Sequence, residues 1–258
     1  MVFVLDVGNS NIKCGLFEDD KLLSSWRMTT DMERTADEYG ISIMSFFAHI
    51  GHSAQDVEGI IISSVIPSIN YTLQHMCSIY FAKKALIVGP GIKTGLNILY
   101  DNPRELGADR IVSAIAAYAL YGGPCIVVDF GTATTFGAVS EGGDFLGGAI
   151  CPGLKISAEA LTVSAARLPR VELLRPESVI AKNTTAGMQA GIIYGYVGQV
   201  DFIIRRMKAE MGGEPKVIAT GGMGKLIAQE TDEITIVNSL LTLTGLNILY
   251  RRNVKKTN

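Results

Sequence analysis

The chain has 258 residues, room at roughly 150 residues per domain for one large or two modest domains. Its 48% hydrophobic and 19% charged content describes a well-buried globular protein, and 28 glycines against only 8 prolines fit tight turns and ligand loops rather than disorder. A net charge of −2 without a basic stripe argues against nucleic acid as the main partner, and no apolar run is long enough to span a membrane.

Residues 1–30 predict a three-strand meander. Apolar Val2, Phe3, Val4 and Leu5 run into Asp6, Val7, Gly8, Asn9, Ser10 and Asn11, then return through Ile12, Lys13, Cys14, Gly15, Leu16 and Phe17. That is a β-hairpin with a polar, glycine-bearing tip, and a third strand follows at Lys21 to Met28. Met1 is followed at once by this strand, without the basic and apolar regions of a signal peptide, so a cytoplasmic protein is expected. Thr35 to His49 predicts a helix, with Tyr39, Ile43, Phe46 and Phe47 at helical spacing. Val57 to Val65 is a buried strand, Pro67 opens a helix to about Phe81, and Ala85 to Val88 is a further short strand. The order βββαβα is that of an RNase H-like domain, a mixed sheet flanked by helices.

The densest polar constellation lies in residues 92–121. Tyr100 and Asp101 lead to Asn102, Pro103, Arg104 and Glu105, which carry the signature of a helix start. Gly107, Ala108, Asp109 and Arg110 follow, and Ile111 to Leu120 predicts an alanine-rich helix connecting two domains, 1–121 and 122–258, with a substrate segment at 92–110. The second domain restates the first. Cys125, Ile126, Val127 and Val128 run into Asp129, Phe130, Gly131, Thr132, Ala133, Thr134 and Thr135, and Phe136 to Val139 returns. A third strand is expected near Asp144 to Ile150, and Gly147 to Gly153 reads as a loop able to approach a ligand. Helices are expected at Ile156 to Leu168 and Thr184 to Met211, a strand at Val217 to Ala219, and a closing helix at Ser239 to Asn253. The basic residues Arg251, Arg252, Lys255 and Lys256 read as a solvated helix end.

The chemistry rests on the two Asp-x-Gly tips. Glycine lets the backbone approach a bulky anion, exposed N–H groups with Ser, Thr and Asn side chains donate to phosphate oxygens, and a strand-end carboxylate can hold a cation or its water shell. Two copies predict a phosphate clamp built by duplication, with hairpins gripping a triphosphate across a cleft and the Thr220 to Gly224 loop passing beneath the adenosine. The Walker spacing is absent: Gly221, Gly222, Gly224 and Lys225 are wrongly spaced, and Leu226 replaces the hydroxyl. Cys14, Cys77, Cys125 and Cys151 are scattered, which predicts reduced thiols, and three histidines give little basis for a zinc site.

These stretches resemble type III pantothenate kinase, a family within the superfamily of acetate and sugar kinases, heat-shock chaperone ATPases and actin. The matching segments are residues 6–10, 100–103, 107–110, 129–135, 147–153, 183–185 and 220–222, in family order over nearly the whole chain; Ser10 stands where many relatives carry Thr. The resemblance implies an α/β fold of two RNase H-like, actin-like ATPase domains with an ATP cleft between them. It implies transfer of the ATP γ-phosphoryl group to the terminal hydroxyl of pantothenate, the first step toward coenzyme A. It also implies a homodimer, Mg²⁺ with the nucleotide, and a monovalent cation, K⁺ or ammonium. In the family, positions matching Asp6, Val7, Gly8, Asn9, Ser10, Asn11, Ile12, Lys13 and Thr132 bind ATP; Tyr100, Gly107, Ala108, Asp109, Arg110 and Thr184 match substrate contacts; Asp109 matches the proton acceptor and Asp129 the monovalent-cation ligand. Two other classes remain at this stage: a non-catalytic nucleotide-binding regulator of the same fold, and a chaperone-type ATPase or phosphatase, for which 258 residues leave no client-binding domain.

Overall fold

A computed structural model describes residues 1–254. The chain forms two compact units, the first made of residues 1–95, 102–116 and the chain from Leu241 onward, the second of residues 96–101 and 117–240.

In the first unit, β1 (Val2–Val7), β2 (Asn11–Glu18) and β3 (Lys21–Thr29) form the expected meander. α1 (Ala36–His49) starts at a capping box in which the Thr35 hydroxyl accepts from the Glu38 N–H while the Glu38 carboxylate accepts from the Thr35 N–H. β4 (Gly59–Ser64), α2 (Pro67–Phe81) and β5 (Leu86–Ile87) follow. The sheet order is β3-β2-β1-β4-β5, with β1 antiparallel to β2 and parallel to β4. One face carries the aromatic core of Phe3, Phe47 and Phe81, with Trp26 stacked on Phe3.

The second unit opens with β6 (Asn97–Ile98). α3 (Ala108–Tyr121) contains the unit boundary, between Ala116 and Ala117. After it come β7 (Cys125–Phe130), β8 (Ala133–Val139), β9 (Asp144–Gly147), β10 (Ile150–Pro152), α4 (Leu154–Ser164), α5 (Thr184–Met211), β11 (Lys216–Gly221), α6 (Gly224–Ala228) and β12 (Ile236–Val237). The sheet order is β12-β11-β7-β8-β9-β6. Read from its own first strand, it repeats the 3-2-1-4-5 order of the first unit and adds β6 at the outer edge. The duplication inferred from the two Asp-x-Gly tips is therefore also a duplication of topology.

Four local expectations shift. Asn102 opens a 3₁₀ turn over Pro103–Glu105, not a helix; its side chain accepts from the Arg104 N–H and donates to Glu105. α3 starts at Ala108, earlier than the alanine-rich run suggests. The strand expected at Asp144 to Ile150 breaks into β9 and β10 at Gly147, whose φ of 114° ends the pairing. α4 ends at Ser164, short of Leu168.

The closing helix α7 (Leu241–Asn253) belongs to the first unit rather than the second. It covers the face of the first sheet opposite the aromatic core: a Cβ on Gly15 would lie 3.3 Å from Leu243, and a side chain at Gly59 would run into the Tyr250 ring. Arg251 and Arg252 fill its last turn, while Lys255 and Lys256 lie outside the described residues.

Candidate active site

The first hairpin tip is held from outside the hairpin. Gly8 N–H donates to the Asn11 carbonyl at 3.0 Å, and Thr30 both donates its hydroxyl to the Gly8 carbonyl at 2.7 Å and its N–H to the Ser10 carbonyl at 3.2 Å. Thr30 escaped the sequence reading because it sits one strand away with no motif around it. Within the tip, Asn9, Ser10 and Asn11 are exposed, whereas the Val7 and Ile12 side chains belong to the core. At those two positions only the backbone can serve a ligand.

Asp6 is the buried charge of this unit, 6% exposed. The Lys13 ammonium, its register partner on β2, stands 3.3 Å from the carboxylate. Burial pushes the Asp6 carboxyl above its ordinary range; Lys13 pulls it back, and Asp109 raises it further. That last influence puts Asp109 within electrostatic range of Asp6, although the two are 103 positions apart in the chain.

Asp109 reaches that position through α3 and α7. Gly245 on α7 lies against α3 so closely that a Cβ would run into the Val112 carbonyl oxygen, and one turn away the Ser113 and Thr242 hydroxyls share a buried hydrogen bond of 3.2 Å. Tyr250 lies over the start of β4 and Leu243 over Gly15 in the middle of β2, the register partner of Val4 on β1, so the N-terminal turn of α7 points toward the Asp6 end of the sheet. Asp109 lies one helical turn before Ser113, in the first turn of α3. Its Oδ1 accepts the Arg110 N–H at 2.9 Å. A Cβ at Gly107 would lie 2.5 Å from that same oxygen, so a side chain there would displace the Asp109 carboxylate.

The remaining predicted residues lie in the second unit. Asp129 and Thr132 bracket the second tip, where Gly131 N–H donates to the Ala133 carbonyl at 3.1 Å. The Asp129 carboxylate lies against Gly221: a Cβ there would be 2.5 Å from Oδ1, and its φ of 87° also demands glycine. Gly148 and Gly153, read from the sequence as approaching a ligand, instead seat the β10 segment on the hairpin. Side chains there would collide with the carbonyls of Phe136 and of Thr132. Tyr196 of α5, buried and without a sequence signal, hydrogen-bonds the Thr134 hydroxyl and fixes the hairpin on the helix. Tyr100 follows β6, its ring 6.4 Å from Phe145 and close to Gly147. Thr184 is exposed and opens α5, where the Asn183 side chain accepts from the Ala186 N–H. Thus Asp6, Lys13 and Asp109 converge in the first unit, Asp129 and Thr132 share one tip of the second, and Tyr100 and Thr184 stand on other elements of that unit.

Among the described residues no group of three or more His, Cys, Asp or Glu side chains could chelate a metal. A divalent ion suits this donor set when nucleotide phosphates and water supply most of its ligands, with Asp6, a buried carboxylate raised by desolvation, holding the water shell. The chemistry the arrangement allows is charge neutralisation of a polyphosphate with a carboxylate nearby to take a proton. All four cysteines are free thiols; burial pushes Cys77 to about 12 and Cys125 to about 11, which makes them unreactive.

A family model described as type III pantothenate kinase matches residues 2–206. A type III pantothenate kinase of Bacillus cytotoxicus is 58% identical over 253 residues, 98% of this chain and 97% of that protein. Among solved structures, a Campylobacter jejuni protein described as a conserved Baf family transcriptional activator superposes with a TM-score of 0.62 at 21% identity, over 97% of this chain and 98% of the other. A ROK hexokinase from Thermus thermophilus superposes with a TM-score of 0.53 at 14% identity, over 96% and 97%. These two likenesses show the fold alone, two α/β units each built on a mixed sheet flanked by helices. The extent of the family match and the identity to the Bacillus cytotoxicus enzyme show that this chain belongs to the type III pantothenate kinase family.

Proposed function

We propose that this chain transfers the γ-phosphoryl group of ATP to the terminal hydroxyl of pantothenate, giving 4′-phosphopantothenate and ADP. The observation that carries the reading beyond family membership is the α3–α7 packing, Gly245 against Val112 and Ser113 against Thr242, which holds the first turn of α3 with Asp109 within electrostatic range of Asp6. A phosphate-gripping hairpin and a candidate base meet in one unit, held by the α3–α7 contact. The tip of the hairpin between Asp6 and Lys13 binds the phosphates, with the exposed Asn9, Ser10 and Asn11 side chains as donors. Asp109 accepts the hydroxyl proton as the oxygen–phosphorus bond forms and the bond to the ADP oxygen breaks. Mg²⁺ bound with ATP supplies charge neutralisation of the phosphate oxygens. Thr132 contacts ATP, and Tyr100, residues 107–110 and Thr184 contact pantothenate.

Asp129 serves a monovalent cation, K⁺ or ammonium, whose loose coordination suits a carboxylate among the carbonyls of a glycine-bearing turn. The active form is a cytoplasmic homodimer. A stripe on α5 supports this: Gly191, Gly195 and Gly198 have nothing within 4 Å of an added Cβ, and Phe202 beyond them is 65% exposed. Light scattering at micromolar concentration is expected to give about twice the 27.7 kDa chain mass.

The deciding measurement is ADP release with and without pantothenate, and across a panel of hydroxylated small acids. Pantothenate-dependent release with 4′-phosphopantothenate as product is expected. Release that ignores pantothenate would reassign the chain as a hydrolase, and nucleotide binding without release would make it a regulator.

A further inference from the structure

Two buried hydroxyls are left without a partner. Ser63 on β4 is fully buried and Thr220 on β11 is 1% exposed, and neither Oγ has a hydrogen-bond partner among the described residues. The next residue, Ser64, donates to the Ile66 carbonyl at 3.2 Å and accepts from the Ile66 N–H at 3.1 Å. Buried hydroxyls are ordinarily paired, so each of the two calls for a reason.

Their positions supply one. Ser63 is the register partner of Asp6 across the parallel β1–β4 pair, and Thr220 is the register partner of Asp129 across the parallel β7–β11 pair. β4 and β11 are the equivalent fourth strands of the two repeats. In both, the hydroxyl residue is the last but one of its strand, as is the aspartate. Register partners on neighbouring strands point to the same face, with strands about 4.8 Å apart, so rotation of a Ser or Thr side chain brings its Oγ within reach of the carboxylate beside it. The carboxylates face other groups as well: Asp6 meets Lys13 on β2 and Asp109 on α3, and Asp129 meets Gly221 on β11 and pairs in register with Thr135 on β8.

We propose that Ser63 and Thr220 are positioning residues, each donating its hydroxyl to the neighbouring strand-end aspartate, Asp6 or Asp129, when that carboxylate turns to hold a cation with the bound nucleotide. A carboxylate has more lone-pair sites than a cation or its water shell occupies, and a donor on the remaining oxygen fixes its orientation, as outer-sphere partners of metal-binding carboxylates do. Each hydroxyl then finds its partner in the neighbouring carboxylate once that carboxylate holds the cation. This inference rests on the kinase reading above and adds to it two residues that act through the aspartates.

The test uses Ser63→Ala, Thr220→Val and the conservative Thr220→Ser. Without ligands, Ser63→Ala and Thr220→Val are expected to unfold at or above the wild-type temperature, because each removes a polar atom that nothing pairs. The rise in unfolding temperature produced by ATP with Mg²⁺ should shrink in both. Well below that temperature, the cation concentration giving half-maximal activity should rise about threefold to tenfold, the worth of one hydrogen bond: Mg²⁺ for Ser63→Ala and K⁺ for Thr220→Val. Thr220→Ser should behave as wild type. Unchanged cation half-saturation in either alanine or valine variant, whatever its stability, overturns the proposal. A wild-type protein that binds MgATP but never phosphorylates pantothenate defeats the kinase reading instead, and leaves the ligand-induced stabilisation of the variants to decide the role of the hydroxyls.

Discussion

Ser113 and Thr242, 129 residues apart in the chain, share a buried hydroxyl hydrogen bond of 3.2 Å that locks α3 to the first turn of α7. Gly245, one turn further along α7, has no room for a methyl group beside the Val112 carbonyl. Helix propensity favours Gly→Ala by about 1 kcal/mol, but overpacking against a backbone carbonyl that cannot swing aside typically costs about 1–3 kcal/mol. The collision therefore decides the sign. Gly245→Ala should lower the thermal midpoint and also reduce kcat in the fraction that stays folded, because the shifted helix carries Asp109 away from Asp6. A variant of raised midpoint and normal kcat would show that the α3–α7 contact does not set the base.

Asp109→Asn keeps the shape of the side chain and its acceptor for the Arg110 N–H. It removes only the ability to take a proton. General-base contributions are about 10²–10⁴-fold, so kcat should fall within that range while nucleotide binding, followed by thermal shift or calorimetry, stays near wild type. An unimpaired kcat would end the assignment.

Asp6 predicts a pH effect of definite sign. Burial is the largest influence on it and raises its pKa above the ordinary 3.8, with Lys13 opposing and Asp109 reinforcing. An acid with a raised folded pKa contributes stability that is fully present below the unfolded value and lost as pH rises through the folded value. Asp6→Asn escapes that loss. In urea unfolding without ligands it should be more stable than wild type at pH 7, and the gap should close as pH falls below about 4. Glu38 and Asp56, held low by hydrogen bonds from Thr35 and Ser53, titrate in the opposite sense but equally in both proteins. Activity should be lost despite the added stability, a trade expected where a charge is buried for function. Greater stability of the wild type at pH 7 would contradict it.

The hairpins, the capping box at Thr35 and the limits of α5 were all legible in the sequence, because each is written by neighbours: alternating apolar residues, Thr35 with Glu38, Asn183 before Thr184 and Gly212 after Met211. What long-range packing decides was not legible. The Leu243, Leu246 and Leu249 stripe announces a buried helix but does not say which sheet it covers, and chain order suggested the second unit. The partners that hold the site, Thr30 at the first tip, Tyr196 at the second and Thr242 beside α3, sit in segments with no motif. The glycines at 148 and 153 were visible, but sequence could not show that the close approach they permit is to the chain's own carbonyls.

A carboxylate beside a polyphosphate is repulsive unless a cation lies between them, and Mg²⁺ keeps near-ideal octahedral geometry and several waters. The Asp129 tip offers a carboxylate at the head of a glycine-bearing turn, where the Thr132 carbonyl already accepts the Gly153 N–H at 3.1 Å, so an ion there would take an irregular set of oxygens. Such a set suits a larger, loosely coordinated ion, so activity should require K⁺ or ammonium in addition to Mg²⁺, with Na⁺ a poor substitute. Asp129→Ala should abolish the K⁺ response. Gly221→Ala tests the same site without removing a ligand atom: its Cβ would stand 2.5 Å from Asp129 Oδ1 on a backbone of φ 87° and push that carboxylate aside; it should raise the K⁺ concentration needed for half-maximal activity while leaving the response to Mg²⁺ near wild type. Full turnover in a sodium buffer with Mg²⁺ would assign Asp129 to the divalent ion or to the fold.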